Sequence, residues 1–493
     1  MTDRRVVVLG GGISGLAAAE AIERRARASG RPVRALVLEA DTEPGGKIKT
    51  RTEKGFVVET GPHGFLDKEP KMFALIDRLG ITGELVAANT DAARRFIYRA
   101  GALREVPMSP PAFLFSDILP LSGRLRCALE PFMPGPTKDE ESVREFAARR
   151  IGPQAADVMV DAMVTGIYGG DPSKLSLKAA FPRMFELERD HGSLVKAQFA
   201  VAREKKAQRK LAGPNGHVPK QQGTGAPAGT LHSFRRGLGT LIEALAGRVD
   251  PRCGARVDRV EPGEAKRWRV RASLDDTTEW IEADAVVSTL PAYDAAALVR
   301  PLAPERAAVI DTIPYVPCSV VVQCFRQEDV TRSVDGFGFL VPGREDRSVL
   351  GTIWASTVFP DHAPSGQVMF RSMLGGARRA ELGDASEAEL AALARADLER
   401  LMGVKAGAEP TLETVIPWRE AIPQYNLGHA DRVAAAEAIE AEHPGLYLSG
   451  NAFRGVAVLA CVAEADRVGE AVLKGLPEVA PAEAPEAPAP SPA

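Results

Sequence analysis

The chain has 493 residues, of which 45% are hydrophobic and 26% are charged, and its formal net charge is −3. This length predicts two or three domains, and the nearly balanced charge disfavours a nucleic-acid partner, which requires a basic surface. The five cysteines form no C-x-x-C pair, so we expect neither a disulfide framework nor a metal site. No apolar run reaches the length of a transmembrane helix, and no signal peptide precedes the first predicted strand. We therefore expect a cytosolic protein.

The N-terminal segment has the pattern of a β-α-β unit. Residues 5–9 and Val33–Leu38 are short apolar runs typical of buried strands. Between them lies a predicted helix whose apolar residues recur with helical spacing, at Leu16, Ala19, Ile22 and Ala26. This order predicts the opening of a parallel α/β sheet.

The turn between the first strand and the helix reads G-G-G-I-S-G at residues 10–15, which matches G-x-G-x-x-G. In such a turn Gly10 permits the sharp bend, Gly12 lets a pyrophosphate approach the backbone, and Gly15 lets the helix pack on the strand. Glu39 ends the second strand, where an acid binds ribose hydroxyls, although it lies further along than usual. A glycine-rich turn without a ligand is the alternative. The predicted dinucleotide contacts are Gly10, Gly12, Ile13, Ser14, Gly15 and Glu39.

A second glycine motif, P-G-G-K-I-K-T at residues 44–50, follows the second strand. It resembles the glycine-glycine-basic motif of the flavin amine-oxidase superfamily, which favours FAD over NAD. The amides of Gly45 and Gly46 and the charge of Lys47 suit a pyrophosphate approached from a second side. A surface turn with an exposed lysine is the alternative. The segment E-T-G-P-H-G at residues 59–64 would then bring backbone close to the flavin ring.

The C-terminal part repeats the pattern of strand, glycine turn and helix. Residues 446–448 are a predicted strand, Gly450 lies in the turn, and a helix is predicted to start near Val456. A helix N-terminus beneath a flavin stabilises negative charge on the reduced ring. This is the place where the superfamily resemblance predicts such a helix.

The remaining chain is divided by composition. A segment at 107–136 combines many aromatic and aliphatic residues with several prolines, so it cannot form one spanning helix; a membrane-surface attachment and a buried helix pair both fit it. Further predicted features are a mainly helical stretch at 70–210, a Gly/Pro/Gln-rich mobile loop at 212–229, an antiparallel sheet within 312–375, a helix at 386–402 and a disordered Pro/Ala/Glu-rich tail at 477–493.

Four longer segments carry a more specific resemblance, to the protoporphyrinogen oxidase family. They are T-G-I-Y-G-G-D-P-S-K-L-S at 165–176, G-F-G-F-L-V-P at 336–342, L-G-T-I-W at 350–354 and I-P-Q-Y-N-L-G-H at 422–429. The resemblance runs in order from about residue 5 to residue 472 and is greatest to the plant and myxobacterial forms. Two pairs depart from the family pattern, His63-Gly64 and Leu459-Ala460.

The resemblance implies a set of site residues. Arg95 would pair with a substrate propionate, and Gly166 would offer its backbone near the reacting ring. Phe337, Leu340, Ile353 and Met373 would enclose the substrate. Without the resemblance, these four apolar residues are typical of an ordinary core, and Arg95 is equally typical of a surface. Further cofactor contacts are implied at Ala40, Gly61, Pro62, His63, Gly64, Val257, Trp418, Val456, Ala457 and Val458.

The implied fold is a discontinuous Rossmann-like α/β domain for FAD, a mixed-sheet substrate domain and a helical membrane-binding region. The expected ranges are FAD domain 1–88, 230–300 and 426–476; helical region 89–210; mobile loop 211–229; substrate domain 301–425; tail 477–493. A peripheral position at the inner face of the cytoplasmic membrane follows from the helical region. A homodimer is a further expectation that the resemblance leaves open.

The implied reaction is the FAD-dependent oxidation of protoporphyrinogen IX to protoporphyrin IX by molecular oxygen, in heme biosynthesis. Alternatives are coproporphyrinogen III oxidation, another amine-oxidase or desaturase activity, and a non-enzymatic prenyl-protein binder of the same fold that has lost FAD. The intact glycine motifs disfavour the last. No nucleophilic triad stands out in the sequence, and a flavin itself accepts the hydride, so we expect no obligatory side-chain acid or base.

Overall fold

The computed structural model describes residues 4–212, 229–274 and 277–477. Most of the predicted loop at 211–229, and nearly all of the predicted tail at 477–493, lie outside these described residues. Within them, no helix is both long enough and apolar enough to cross a membrane.

The strands are β1 (Arg4–Leu9), β2 (Val33–Leu38), β3 (Thr50–Glu53), β4 (Phe56–Glu59), β5 (Phe65–Leu66), β6 (Leu85–Ala87), β7 (Arg95–Arg99), β8 (Ala102–Glu105), β9 (Leu231–Phe234), β10 (Ala255–Pro262), β11 (Trp268–Leu274), β12 (Thr277–Ala283), β13 (Ala285–Ser288), β14 (Tyr315–Val316), β15 (Cys318–Arg326), β16 (Gly338–Leu340), β17 (Val349–Trp354), β18 (Gln367–Gly375), β19 (Leu412–Ile416), β20 (Ile422–Pro423) and β21 (Leu446–Leu448).

The α-helices are α1 (Ile13–Ala28), α2 (Pro70–Arg78), α3 (Pro110–Phe115), α4 (Leu121–Ala128), α5 (Val143–Ile151), α6 (Pro153–Ala155), α7 (Asp161–Tyr168), α8 (Leu177–Ala180), α9 (Pro182–His191), α10 (Leu194–Ala212), α11 (Gly239–Val249), α12 (Ala292–Val299), α13 (Pro304–Asp311), α14 (Ala355–Val358), α15 (Glu387–Met402), α16 (His429–Glu442) and α17 (Val458–Gly475). A π-helical turn at Ala156–Val160 joins α6 to α7. Short 3₁₀ helices lie at Thr82–Glu84, Thr90–Ala93, Glu130–Phe132, Gln327–Asp329, Gly343–Glu345, Pro360–His362 and Ala380–Gly383.

A four-stranded parallel sheet, in the order β2-β1-β13-β21, gathers strands from both ends and the middle of the chain. Its strands are almost continuously apolar, as expected for a sheet that helices cover on both faces. Helices α1 and α17 pack against each other on one face, in a core that includes Leu16, Ile22 and Val468. This sheet places the turns after β1 and β21 at the same edge, because both strands are parallel.

A second, seven-stranded sheet has the order β19-β15-β18-β17-β16-β7-β8. Its central pairs are antiparallel, whereas β16 and β7 run parallel. The antiparallel sheet predicted within 312–375 is therefore present, with β7 and β8 added at one side. Helix α15 packs against the sheet through Leu390, Ala394 and Leu398. The molecule is thus a mixed α/β protein with two main sheets.

Two local predictions differ from the structure. The stretch at 89–210, expected to be helical, begins with β7 and β8, which belong to the large sheet. β7 pairs with β8 in a local hairpin and with β16, more than 200 residues away, and it is this distant pairing that the sequence of the stretch did not indicate. The C-terminal helix expected near Val456 begins at Val458, because residue 457 has an extended backbone and caps the helix.

Candidate active site

One large cavity lies between the two sheets, with a volume of about 1490 Å³. Its wall draws residues from the turns of the parallel sheet, from one face of the seven-stranded sheet and from the helices at 151–198. The cavity has a polar, glycine-rich half and a mainly apolar half. The two halves join beside Gly61–Gly64.

The turn after β1 forms the floor of the polar half. Gly10 has φ +99°, a left-handed backbone that favours glycine. A Cβ on Gly12 would meet only the carbonyl oxygen of Gly45, 3.9 Å away, so this position faces open space. Gly12 is also the N-cap of α1 and offers no side-chain cap, which leaves the first amides of the helix free for an anion. The predicted contacts Gly10, Gly12, Ile13 and Ser14 all line the cavity.

Glu39 closes the same floor from the end of β2. Its carboxylate accepts hydrogen bonds from the amides of Gly11 at 2.5 Å and Asp41 at 2.8 Å. The side chain is thus fixed at the cavity wall beside Ala40 and Val257, which also line the cavity. A carboxylate held in this way can accept further hydrogen bonds from ribose hydroxyls.

The second glycine motif lies against the first. Gly12 and Gly45 form an isolated parallel bridge, and the amide of Gly45 donates to the carbonyl of Gly11 at 2.9 Å. Gly46 and Lys47 line the cavity next to them. Burial lowers the pKa of Lys47, which lies 5.9 Å from the ring centre of Tyr315. The lysine is therefore partly buried at the cavity wall and is not the exposed lysine of a surface turn.

Two predicted cofactor contacts do not line the cavity. Gly15 faces the turn itself: a Cβ there would lie 1.9 Å from the carbonyl oxygen of Gly10. Gly450 faces Thr289, whose carbonyl oxygen would be 3.2 Å from such a Cβ. Both glycines permit close packing of the backbone, and they shape the site without bordering it.

The segment from Gly61 to Gly64 lines the junction of the two halves. Trp418 also borders the cavity and donates from Nε1 to the carbonyl of Thr60 at 2.8 Å, which fixes this segment. His63 is buried, and neither of its ring nitrogens has a hydrogen-bond partner among the described residues. Burial, then the charges of Arg371 and His362, lower the pKa of His63 well below its usual range. The imidazole is therefore neutral at neutral pH.

A second helix N-terminus meets the cavity at this junction. Ala457 is the N-cap of α17 and has no side-chain cap, and Val456, Ala457 and Val458 line the cavity. The free amides of this turn carry partial positive charge. The cavity thus touches two uncapped helix ends, one from α1 and one from α17. This pair suits a ligand with a phosphate at one end and electron-rich carbonyl groups at the other.

The apolar half is built on adjacent strands of the large sheet. The pairing aligns Ile97, Leu340, Gly351 and Met373 in one row, and Arg95, Gly338, Ile353 and Arg371 in the next. Residues paired in this way project from the same face of a sheet. Among the predicted substrate residues, Arg95, Phe337, Leu340, Ile353 and Met373 all border the cavity.

Arg95 and its neighbour Arg94 face opposite ways. Arg95 is half-buried with its guanidinium 5.6 Å from the ring centre of Phe337, and burial lowers its pKa. Arg94 is exposed and pairs with Glu105 and Asp335. Because Arg94 has an extended backbone directly before β7, the alternation of side chains directs Arg95 into the cavity and Arg94 into solvent.

Helix α7 closes the apolar half opposite the sheet. Gly166 borders the cavity, and a Cβ on it would lie 3.0 Å from both δ-methyl groups of Leu340. The helix and the sheet therefore approach closely at this point.

Several other cavity residues were not predicted from the sequence. They are Met159, Met163, Ile167, Met184, Gln198, Arg256, Asp294, Arg371 and Asn451. The methionines have no pattern that distinguishes them from core residues. Arg371, in contrast, interrupts the apolar strand V-M-F-R-S-M, and a cation in such a strand is a signal that could have indicated a site.

The fold and the cavity define a dinucleotide-binding flavoprotein. The chain matches the family described as flavin containing amine oxidoreductase over residues 13–473. It is 31% identical over 472 residues to the chloroplastic protoporphyrinogen oxidase of Oryza sativa subsp. japonica, with 92% of this chain and 85% of that protein covered. It therefore belongs to the flavin containing amine oxidoreductase family.

Two further comparisons bear on the site. The coproporphyrinogen III oxidase of Bacillus subtilis (strain 168) is 28% identical over 467 residues, covering 93% of this chain and 96% of that protein. A solved structure from Exiguobacterium sp. 255-15, described provisionally as a protoporphyrinogen oxidase, is 26% identical. It superposes with a TM-score of 0.77 over 96% of this chain and 99% of that one. The protein is an FAD-dependent oxidoreductase. The two glycine motifs, at residues 10–15 and 44–50, and the two uncapped helix ends fit that cofactor.

Proposed function

We propose that this protein oxidises protoporphyrinogen IX to protoporphyrin IX. Six hydrogens leave the substrate in three two-electron rounds, and three molecules of oxygen become three molecules of hydrogen peroxide. One observation carries the proposal: a single cavity joins the two glycine motifs to a mainly apolar slot that Arg95 borders. A large apolar substrate with carboxylate arms needs such a slot. The names of the relatives in rice and Exiguobacterium support it.

In this proposal the protein mainly positions and encloses the substrate. Bound FAD supplies the hydride acceptor. Leu340, Ile353 and Met373 line one wall of the slot, and Gly166, which packs against Leu340, offers its backbone near the reacting ring. Arg95 anchors a propionate and so fixes which ring faces the cofactor. The slot excludes water through its apolar wall, which keeps the carbon and the cofactor in contact.

The roles of the chain segments follow from the same proposal. Residues 1–88, 230–300 and 426–476 form the FAD domain, and 301–425 form the substrate domain. We add β7 and β8 to the substrate domain, because they pair with its sheet and supply Arg95. The helices that follow cover the slot and carry the membrane-facing surface.

The function is tested by steady-state oxidation of protoporphyrinogen against coproporphyrinogen, followed by porphyrin fluorescence. Coproporphyrinogen III is the second candidate, favoured by the relative in Bacillus subtilis, and it carries two more carboxylates. Among the predicted substrate residues that border the cavity, Arg95 is the one arginine, and it can anchor one carboxylate arm. We therefore expect a higher kcat/KM for protoporphyrinogen. The opposite preference would assign the second substrate, and no oxidation of either would refute the proposal.

Replacing Arg95 by Ala is expected to raise KM several-fold and to lower kcat/KM by about one to two decades. A charge-assisted hydrogen bond to a propionate contributes roughly 1.5–3 kcal/mol, and a guanidinium can make it bidentate. Arg95→Lys should recover only part of the loss. Flavin content should stay normal in both variants, as measured by absorbance after denaturation.

Arg94→Ala is the matched control, because Arg94 immediately precedes β7 and pairs with Glu105 and Asp335 at the surface. It should show the kinetics of the parent. Equal kinetics for the parent and Arg95→Ala would remove Arg95 from the substrate site.

A surface patch supports peripheral membrane attachment. Within 107–136 the most exposed large apolar side chains are Met108, Phe115, Leu121, Leu125 and Phe132, with exposed fractions of 55–90%. Ile118 and Leu119 are buried beneath them. The segment is thus not simply a buried helix pair, and apolar residues exposed together in this way are typical of an interface with a membrane or a partner.

We expect the protein to co-sediment with vesicles that contain anionic lipid at low salt. The double variant Phe115→Ser/Phe132→Ser should bind at least tenfold more weakly, because each phenylalanine contributes roughly 1.5–3 kcal/mol on burial. Trp280→Ser is the control, since Trp280 is a 41% exposed aromatic residue elsewhere, on β12. If the parent protein remains in the supernatant, the proposed membrane attachment is refuted.

A further inference from the structure

Arg371 is a buried cation at the junction of the two halves of the cavity. It lies on β18, is 5% exposed and borders the cavity. Its Nη2 donates to the carbonyl of Gly61, its Nη1 contacts the sulfur of Met373 at 3.7 Å, and its Nε is buried without a partner among the described residues. These acceptors are neutral, and the charge of the nearby Glu59 carboxylate acts on Arg371 without forming an ion pair with it.

Other arginines in the interior of this protein are paired with carboxylates. Arg150 is fully buried and pairs with Glu130, and the neighbouring Arg149 pairs with Glu141 and Glu188. Among the described residues, the hydrogen-bond acceptors of the Arg371 guanidinium are a backbone carbonyl and a thioether sulfur, not a carboxylate. A buried charge is costly unless it is paired. The contrast indicates that a ligand of the cavity supplies the counter-charge for Arg371.

The titratable groups around Arg371 offset its charge only in part at neutral pH. Burial raises the pKa of Glu59 to about 7, although hydrogen bonds from Leu238 and Thr50 and the charge of Arg371 oppose this, so its carboxylate is only partly ionised at neutral pH. Burial also raises the pKa of the Cys318 thiol to about 11. The neighbouring imidazole of His63 is neutral, because burial lowers its pKa. The positive charge of Arg371 is therefore only partly offset when the cavity holds no anion.

The sheet register places this charge on the cofactor side. Arg95 and Arg371 lie in the same row, separated by Gly338 and Ile353 on the two strands between them. Three strand spacings of ~4.8 Å put their Cα atoms roughly 14 Å apart. Arg95 lies at the substrate end, whereas Arg371 contacts Gly61, which packs on the backbone of Lys47 in the FAD half.

We propose that Arg371 raises the reduction potential of the bound FAD by stabilising the negative charge of its reduced ring. Uptake of two electrons and one proton leaves the isoalloxazine with one negative charge, whereas the oxidised ring is neutral. A fixed cation beside the ring therefore favours the reduced form over the oxidised one. Arg371 is a positioning charge in this role, and it touches no reacting atom of the substrate.

This inference rests on the bound flavin and not on the porphyrinogen proposed above. Its main test needs no substrate: FAD-loaded protein is equilibrated with reference dyes of known potential. Arg371→Met and Arg371→Gln should each retain FAD and show a lower midpoint potential. We expect at least a tenfold loss of preference for the reduced flavin, which corresponds to about 30 mV for a two-electron couple.

Two further variants test whether the charge at residue 371, and not at another position, sets the midpoint potential. Arg371→Lys keeps the charge and should keep most of the potential. Arg95→Met removes a cation from the far end of the same row. It should raise KM, whereas its midpoint potential should equal that of the parent.

Several results would overturn the proposal. An unchanged potential in both neutral variants would do so, as would an equal fall in Arg95→Met. A raised KM with an unchanged potential would instead assign Arg371 to a substrate carboxylate. Loss of FAD from both neutral variants would show that the charge acts on cofactor binding rather than on the redox state.

Discussion

Replacing Gly12 by Val is expected to abolish retention of FAD while the protein still folds. Gly12 has φ −74°, a backbone that valine can adopt. A Cβ there has no neighbour closer than 3.9 Å, so the new side chain projects into the cavity without distorting the core. It would occupy the space between the two glycine motifs where the pyrophosphate must approach the free amides of α1.

The measurement is flavin absorbance after denaturation, relative to protein, in the purified parent and variant. Gly83→Val is the control, because a Cβ on Gly83 would have no neighbouring atom within 4 Å and this residue lies away from the cavity. The control should purify yellow and the Gly12 variant colourless. A normal flavin content in Gly12→Val would falsify the placement of the pyrophosphate.

Replacing Arg150 by Met is expected to destabilise the protein by about 3–5 kcal/mol, because it leaves a buried carboxylate without its cation. Arg150 is 0% exposed and donates from Nε and Nη2 to Glu130. Glu130 also accepts from the hydroxyl of Ser193 and from the amides of Leu194 and Val195, where α10 begins. The pair thus ties the Glu130–Phe132 turn to α5 and α10.

Urea unfolding of the parent and the variant measures the loss. Arg144→Met on the same helix is the control: Arg144 pairs with Asp157 at the surface, and such pairs contribute roughly 0–1 kcal/mol. A loss in Arg150→Met no larger than in Arg144→Met would contradict the assignment of a critical buried pair.

The same pair predicts a dependence of stability on pH. Burial raises the pKa of Glu130, but the bonds from Ser193, Leu194, Val195 and Arg150 outweigh it and leave the pKa below its usual value. A carboxylate with a depressed pKa in the folded state stabilises the protein above the pKa of the unfolded state. This contribution is lost as the pH falls through the pKa of the folded state. The difference in unfolding free energy between the parent and Glu130→Gln should therefore shrink in acid.

Local patterns were enough to predict much of the fold. The strands at Val33–Leu38 and Leu446–Leu448 have the bounds that their apolar runs indicate, and α15 begins one residue after Ser386, which caps it. The glycine turn at 10–15 specified a dinucleotide site from its own residues, because the turn, the free helix amides and the strand are contiguous in the chain. The family resemblance then indicated the porphyrinogen-oxidase type of site.

The tertiary structure decided which residues meet. The register of the large sheet aligns Arg95 with Arg371 and brings β7 beside β16, and no local pattern encodes such long-range pairing. Gly15 and Gly450 belong to their motifs yet face the backbone instead of the cavity. Local sequence determines the helices, strands and turns through short-range hydrogen bonds and periodic burial. The composition of the cavity depends on strand order and register, which arise only when distant segments bury their apolar faces together.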